Sequence, residues 1–100
     1  MVPVDKVKDI VSRHDALEKE LSSGNIDSRL FAKKSKEYSS LGGIIKIARE
    51  YLNFENEKKD LVNMIQDKSN DSDICELAQK DLNELIIKKE KYENDLKVFL

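Results

Sequence analysis

Two side chains of this 100-residue chain could do acid–base or nucleophilic chemistry near neutral pH, and they are His14 and Cys75. His14 lies among apolar residues at helical spacing, which favours a packed, hydrogen-bonded histidine over a catalytic one. Cys75 falls in the first turn of a predicted helix, where a thiol can be activated, but packing as a small residue explains it equally well. One histidine and one cysteine cannot build a zinc site. We therefore predict no catalytic residue, no metal ligand, no cofactor and no enzymatic activity.

A row of basic residues is the other candidate site. Residues 29–49 contain six basic residues and one acidic residue, Glu37, although the whole chain has a net charge of -2. Arg29, Lys33 and Lys36 are four and three residues apart, so they share one face of a helix. The commoner meaning of such a row is a solvated helix face. The alternative is a contact surface for RNA or for an acidic protein.

Three segments with helical periodicity must position these residues. They cover residues 3–23, 27–67 and 71–100, and short polar loops separate them. The pair Gly42-Gly43 lies inside the second segment, where a second row of apolar residues begins. Because glycine disfavours a helix interior, the pair predicts a kink or local irregularity there. Short loops imply antiparallel neighbours, so we predict an all-α, elongated, antiparallel three-helix bundle with a coiled-coil-like character.

The apolar stripes also predict which residues form the core. We expect Phe31, Tyr38 and Leu41 of the second segment to be buried on the side opposite the basic row. Leu77 and Leu85 of the third segment should meet them there. This packing would leave the basic row exposed to solvent.

Composition bounds the class of protein. Apolar residues make up 39% of the chain and charged residues 38%, and no apolar run is long enough to span a membrane. The charged N-terminal stretch does not resemble a secretory signal, so the cytoplasm is the expected compartment and no membrane partner is expected. Met1 is interpreted as a natural start.

Two stretches resemble a known family. Residues 31–41, Phe-Ala-Lys-Lys-Ser-Lys-Glu-Tyr-Ser-Ser-Leu, are similar to the Phe…Ser-Lys-Glu-Tyr…Leu run of bacterial class I peptide chain release factors. Residues 71–78, Asp-Ser-Asp-Ile-Cys-Glu-Leu-Ala, resemble the family's Asp-Pro-Glu-Met-Arg-Glu-Met-Ala segment, with Ser72 in place of the usual proline. The resemblance extends over essentially the whole chain and is weakest over the first 25 residues. Both motifs are helix-packing patterns and neither is catalytic.

The resemblance implies a fragment, the N-terminal helical domain over residues 1–100. The family's Gly-Gly-Gln motif for peptidyl-tRNA hydrolysis and its Pro-x-Thr-type codon-reading tripeptide are absent from the sequence. The missing domains would contact the stop codon and peptidyl-tRNA. The absence of tryptophan favours the branch of the family that reads UAA and UAG.

In such a factor this domain would be a non-catalytic accessory to translation termination. Its implied partner is the ribosome, at the stalk base in the region of ribosomal protein L11, and Arg29, Lys33 and Lys36 are the expected contact face. The fragment itself is expected to be monomeric. The alternative from the residues alone is a stand-alone coiled-coil interaction module, because apolar residues of the second segment recur at an average spacing of 3.5.

Overall fold

The structure is a computed structural model that describes residues 2–100, and it contains four α-helices and no strand within that range. The all-α prediction is therefore confirmed. The helices are α1 (Val4–Ser22), α2 (Ser28–Gly42), α3 (Ile45–Gln66) and α4 (Ser72–Phe99). The second predicted segment occurs as two helices, α2 and α3, an arrangement compatible with a bundle of three segments. Met1 lies outside the described residues.

Local sequence accounts for the helix boundaries. The carboxylate of Asp27 accepts a hydrogen bond from the backbone N–H of Arg29, and that of Asp71 accepts one from the N–H of Ile74, each at 2.9 Å. These two bonds cap the N-termini of α2 and α4. After α1 the chain turns at Gly24, whose φ of +73° is a left-handed conformation that glycine adopts without strain.

The interruption between α2 and α3 falls where the glycine pair predicted an irregularity. Gly43 has a φ of -71°, which any residue can adopt, so the glycines act through their low helix propensity and not through a left-handed turn. Leu41 and Ile44, on either side of the glycine pair, are both buried. The break lets α2 lie against α1 while α3 continues alongside α4.

The molecule is elongated, with principal extents of 60 × 27 × 19 Å, and it has two parts. In the bundle (residues 2–54 and 89–100), α1, α2, the start of α3 and the end of α4 enclose the core. In the arm (residues 55–88), the rest of α3 and α4 pair with each other. The core of the bundle consists of Val2, Val7, Ile10, Leu17, Leu41, Ile44, Ala48, Tyr51 and Leu96.

The predicted core is partly wrong. Leu41 is buried and Tyr38 is half-buried against the core, as expected. Phe31, however, is 46% exposed and Leu77 is 61% exposed. Leu85 is half-buried, but it lies in the arm beside α3. The reason is that α2 packs mainly on α1, so the first half of α4 does not meet the apolar face of α2.

Within residues 2–100, no helix combines the length and the apolar character needed to cross a membrane.

Candidate functional site

The structure places the predicted basic row on the exposed surface of α2. Arg29 is the second residue of the helix, held there by the Asp27 cap, and Lys33 and Lys36 follow at one-turn spacing. All three side chains are exposed. Among residues 2–100, none of the three takes part in an ion pair. The row therefore presents three cations to solvent on one face of a helix.

The acidic residue inside the basic stretch is engaged elsewhere. Glu37 accepts two hydrogen bonds from the guanidinium of Arg13 on α1, from Nε at 2.7 Å and from Nη2 at 2.9 Å. This bidentate bond lowers the pKa of Glu37, and the positive charges of Arg13, Lys33 and Lys34 add to the effect. Because both carboxylate oxygens face α1, Glu37 does not form an ion pair with the basic row.

Two further basic residues of the same stretch are neutralised by α1. Lys34 donates to the carboxylate of Glu20, and Arg49 Nη2 donates to Asp15 Oδ1 at 2.7 Å. The stretch thus divides into cations that hold the helices together and cations that face solvent. Arg29, Lys33 and Lys36 belong to the second group.

His14 is packed in the bundle, as its position among apolar residues predicted. The residue is only 8% exposed, and its ring stacks on the ring of Tyr38, with ring centroids 4.8 Å apart. Its Nδ1 lies 3.1 Å from Asp15 Oδ1, at hydrogen-bonding distance. This contact with His14, followed by the positive charge of Arg49, lowers the pKa of Asp15. The histidine therefore links α1 to α2 by stacking and stands next to an interhelical ion pair.

One group of side chains within residues 2–100 brings potential metal ligands together. Ligand atoms of His14, Asp15 and Glu18 all lie within 4.8 Å of one another. Asp15 Oδ1, however, already accepts a hydrogen bond from Arg49 and lies 3.1 Å from His14 Nδ1. The adjacent guanidinium opposes the binding of a cation, so this chemistry fits an ion pair between helices better than a metal centre.

Cys75 joins the two helices of the arm. It is half-buried, and its Sγ lies 3.7 Å from the carbonyl oxygens of Met64 and Ile65 in the last turn of α3. The thiol can donate a weak hydrogen bond to these carbonyls, which are otherwise left without helical partners. This environment fits the packing interpretation of Cys75.

The ion pairs between helices are what the sequence analysis missed. Arg13, Glu20 and Asp15 each bind a residue that lies 14 to 34 positions away along the chain. No local spacing rule connects residues so far apart. The one usable signal was the excess of basic residues in residues 29–49. This excess indicated that some of them pair with acidic residues of a neighbouring helix.

The chain is similar to known proteins along most of its length. The family model for the PCRF domain matches residues 10–100. Peptide chain release factor 1 of Pelagibacter ubique (strain HTCC1062) is 46% identical over 100 residues, which are 100% of this chain and 28% of that protein. The factor of the same name from Bartonella quintana (strain Toulouse) is 30% identical over 99% of this chain and 27% of its own length. No solved structure matches the chain.

The extent of these matches decides what they show. The chain spans about a quarter of the length of the curated relatives it matches. The matches therefore describe this region and not a whole factor. Peptide chain release factor 1 of Rhizobium rhizogenes (strain K84 / ATCC BAA-868), at 29% identity, matches 99% of the chain in the same way. Since the family model covers most of the chain, the chain belongs to the PCRF domain family of peptide chain release factors.

Proposed function

We propose that this chain is the N-terminal helical domain of a peptide chain release factor and serves translation termination without catalysing it. The observation that carries the proposal is the match to the PCRF domain over residues 10–100, joined to 46% identity with a release factor 1 over the whole chain. The residues themselves offer no competing activity, because His14 and Cys75 are engaged in packing between helices.

The complete factor would direct release of the nascent peptide at UAA and UAG. Support for these codons comes from the names of the relatives, all release factor 1, and from the absence of tryptophan. Hydrolysis of peptidyl-tRNA would fall to a Gly-Gly-Gln motif, which is not among these 100 residues. The factor would act in the cytoplasm, where ribosomes translate.

The proposed partner of this domain is the ribosome, at the stalk base in the region of ribosomal protein L11. The basic row of Arg29, Lys33 and Lys36 is the proposed contact face. Its support is its exposure and its lack of ion pairs among residues 2–100. Unneutralised cations on one helix face favour phosphates or an acidic protein surface.

A domain exchange tests the assignment to termination. The chain replaces the matching region of release factor 1 from Pelagibacter ubique, and release of formyl-methionine is measured on ribosomes programmed with UAA, UAG or UGA. The hybrid should release at UAA and UAG, and the isolated 100-residue chain should release nothing. Release by the isolated chain, or a folded hybrid without any release activity, would contradict the proposal.

A charge-reversal series in the same hybrid tests the contact face. Arg29→Glu, Lys33→Glu and Lys36→Glu together should slow association with the ribosome and leave hydrolysis by bound factor unchanged. For each phosphate that the row no longer neutralises, the slope of log affinity against log salt should become shallower by roughly 0.7–0.9.

The matched control carries Lys58→Glu, Lys59→Glu and Lys80→Glu, three exposed cations of the arm. It changes the net charge by the same amount and should associate almost as fast as the unmodified hybrid in stopped-flow measurements. Equal association rates for the two triple variants would show that the basic row is an ordinary solvated helix face.

A further inference from the structure

An open groove runs between the two helices of the arm, far from the basic row. It encloses about 360 Å³ between α3 and α4. Its floor is apolar and consists of Leu61 from α3 and Leu85 from α4, both half-buried. Its rim is acidic, and the four carboxylates that line it are those of Glu57, Asp60, Asp81 and Glu84.

The rim carboxylates have little internal compensation. Among residues 2–100, Asp60, Asp81 and Glu84 form no ion pair, and Glu57 accepts only an amide hydrogen bond from Asn53, at 3.0 Å. Lys88 supplies one positive charge at the end of the groove nearest the bundle. The arm as a whole has nine acidic and five basic residues, so its charge of -4 extends well beyond the groove.

Two exposed apolar side chains lie beyond the groove residues, toward the tip of the arm. Met64 follows Leu61 by three residues on α3, and Leu77 precedes Asp81 by four residues on α4, so each extends its helix's row by one turn. Met64 is 42% exposed and Leu77 is 61% exposed. Toward the bundle, the groove continues into a second depression floored by Phe54 and Tyr92.

This combination selects one class of occupant. A divalent cation is disfavoured, because no three carboxylates of the arm place oxygens within 4.8 Å of one another. An apolar strip flanked on both sides by carboxylates is instead complementary to a helix with apolar residues on one face and lysine or arginine beside them. On α3, Leu61 lies seven residues after Phe54, about 10 Å along the helix axis, and the exposed Met64 lies about one turn farther toward the tip.

We infer that this arm groove is a docking site for a basic amphipathic helix of another protein. Apolar residues of that helix would cover Leu61, Leu85 and the exposed Leu77, and its cations would meet Asp60, Asp81 and Glu84. The inference does not depend on the basic row of α2, which lies on the bundle and has the opposite charge.

Binding of a synthetic peptide to the 100-residue chain tests the inference. The probe is a helix of about 14 leucine and lysine residues, with leucine on one face at helical spacing. A peptide of the same composition with scrambled order serves as its control. Fluorescence anisotropy should show that the amphipathic peptide binds the chain. The scrambled peptide should bind at least about tenfold more weakly. Equal binding of the two peptides would reduce the effect to bulk charge attraction and overturn the inference.

Two matched triple variants locate the site. Asp60→Lys, Asp81→Lys and Glu84→Lys together should weaken binding at least about tenfold, because they reverse the rim. Glu55→Lys, Glu76→Lys and Glu90→Lys change the net charge equally at exposed positions that do not line the groove, and they should weaken binding less than about threefold. Similar losses in both variants would overturn the inference.

The apolar part of the site is tested at the tip. Met64→Ser and Leu77→Ser replace exposed side chains, so the chain stays folded, and the double variant should bind the amphipathic peptide several-fold more weakly. Unchanged binding would contradict the docking of an apolar face. Sedimentation of the chain without peptide measures whether the chain associates with itself. Self-association that disappears in the rim variant would make a second copy the occupant and overturn the assignment to another protein.

Discussion

In the bundle, α1 and α2 pack against each other and against α3, whereas in the arm α3 and α4 have only each other. The difference in burial is large. Leu17 and Leu96 are completely buried in the bundle, while Ala78 is the one buried side chain of the arm. Two helices can bury only one narrow seam between them, and a small alanine suits their close approach. The arm therefore depends on the bundle for its stability and keeps surface available for contacts.

Polar interactions repeat this contrast. In the bundle, α1 is tied to its neighbours by ion pairs such as Arg13–Glu37, and the Tyr92 hydroxyl donates to Glu50 across α3 and α4. In the arm, the thiol of Cys75 reaches two carbonyls of α3, and Asp67 accepts from Ser69 in the connecting loop. Bonds between helices fix the bundle, while those of the arm lie mostly at its tip.

The largest expected difference between the bundle and the arm is the loss of stability when a leucine side chain is truncated. Leu96→Ala removes a completely buried side chain of the bundle and should lower the free energy of unfolding by about 2–5 kcal/mol. Leu77→Ala removes a side chain that is 61% exposed in the arm and should cost less than about 0.5 kcal/mol. Urea denaturation followed by circular dichroism measures both. Similar losses would mean that the arm is packed as tightly as the bundle.

The contrast between bundle and arm also shows which features of the fold could be predicted from the sequence. The helical segments, the caps Asp27 and Asp71 and the irregularity at the glycine pair follow from local rules, and the structure contains them. The partners of each helix do not follow from local rules. The stripe of α4 has the same periodicity beside Leu77 as beside Leu96, yet only Leu96 belongs to the buried core to which α1 and α2 contribute.

The candidate site divides in the same way. The spacing of Arg29, Lys33 and Lys36 placed them on one helix face, and the apolar residues on the opposite face predicted their exposure, which the structure has. Phe31 was expected to be buried opposite them, but it is 46% exposed, because no neighbouring helix within residues 2–100 fully covers that end of α2. The arm groove was not foreseen, since it depends on which residues of α3 and α4 stand across from each other.

An intermediate effect is expected at the floor of the arm groove. Leu85 is half-buried between α3 and α4, so Leu85→Ala should cost about 1–2 kcal/mol, between the values for Leu96 and Leu77. Native-state hydrogen exchange should place the loss in the arm, with faster exchange of residues 61–66 and unchanged exchange in α1. Faster exchange throughout α1 as well would show that the arm and the bundle unfold as one unit.

The two aspartate caps provide a matched pair with a smaller effect. Asp27→Ala removes the cap of α2 in the bundle, and Asp71→Ala removes the cap of α4 at the tip of the arm. Each should cost about 1 kcal/mol of local helix stability. In the arm we expect the loss as fraying, seen as faster exchange of the first turn of α4, with a nearly unchanged urea midpoint. A full loss of global stability in Asp71→Ala would show that the arm does not open independently.

The smallest effect concerns acid. The hydrogen bond from Arg13 lowers the pKa of Glu37 below its ordinary value of 4.5, so the folded chain holds this carboxylate ionised more strongly than the unfolded chain does. The stabilisation is complete above that ordinary value and is lost as the pH falls through the lowered one. In the arm, the hydroxyl and N–H of Ser69 lower the pKa of Asp67 within a single loop, so its protonation should loosen only that loop.

Glu37→Gln and Asp67→Asn turn this difference into a measurement. Urea midpoints are compared at about pH 6 and about pH 3. Because Glu37 joins α1 to α2, Glu37→Gln should make the global midpoint less dependent on pH than in the unmodified chain. Asp67→Asn should leave that dependence unchanged, because its bonds do not connect the arm to the bundle. If Asp67→Asn reduced the pH dependence of the urea midpoint as much as Glu37→Gln, the loop of the arm would contribute to global stability. The two parts of the molecule would then be more strongly coupled than their packing indicates.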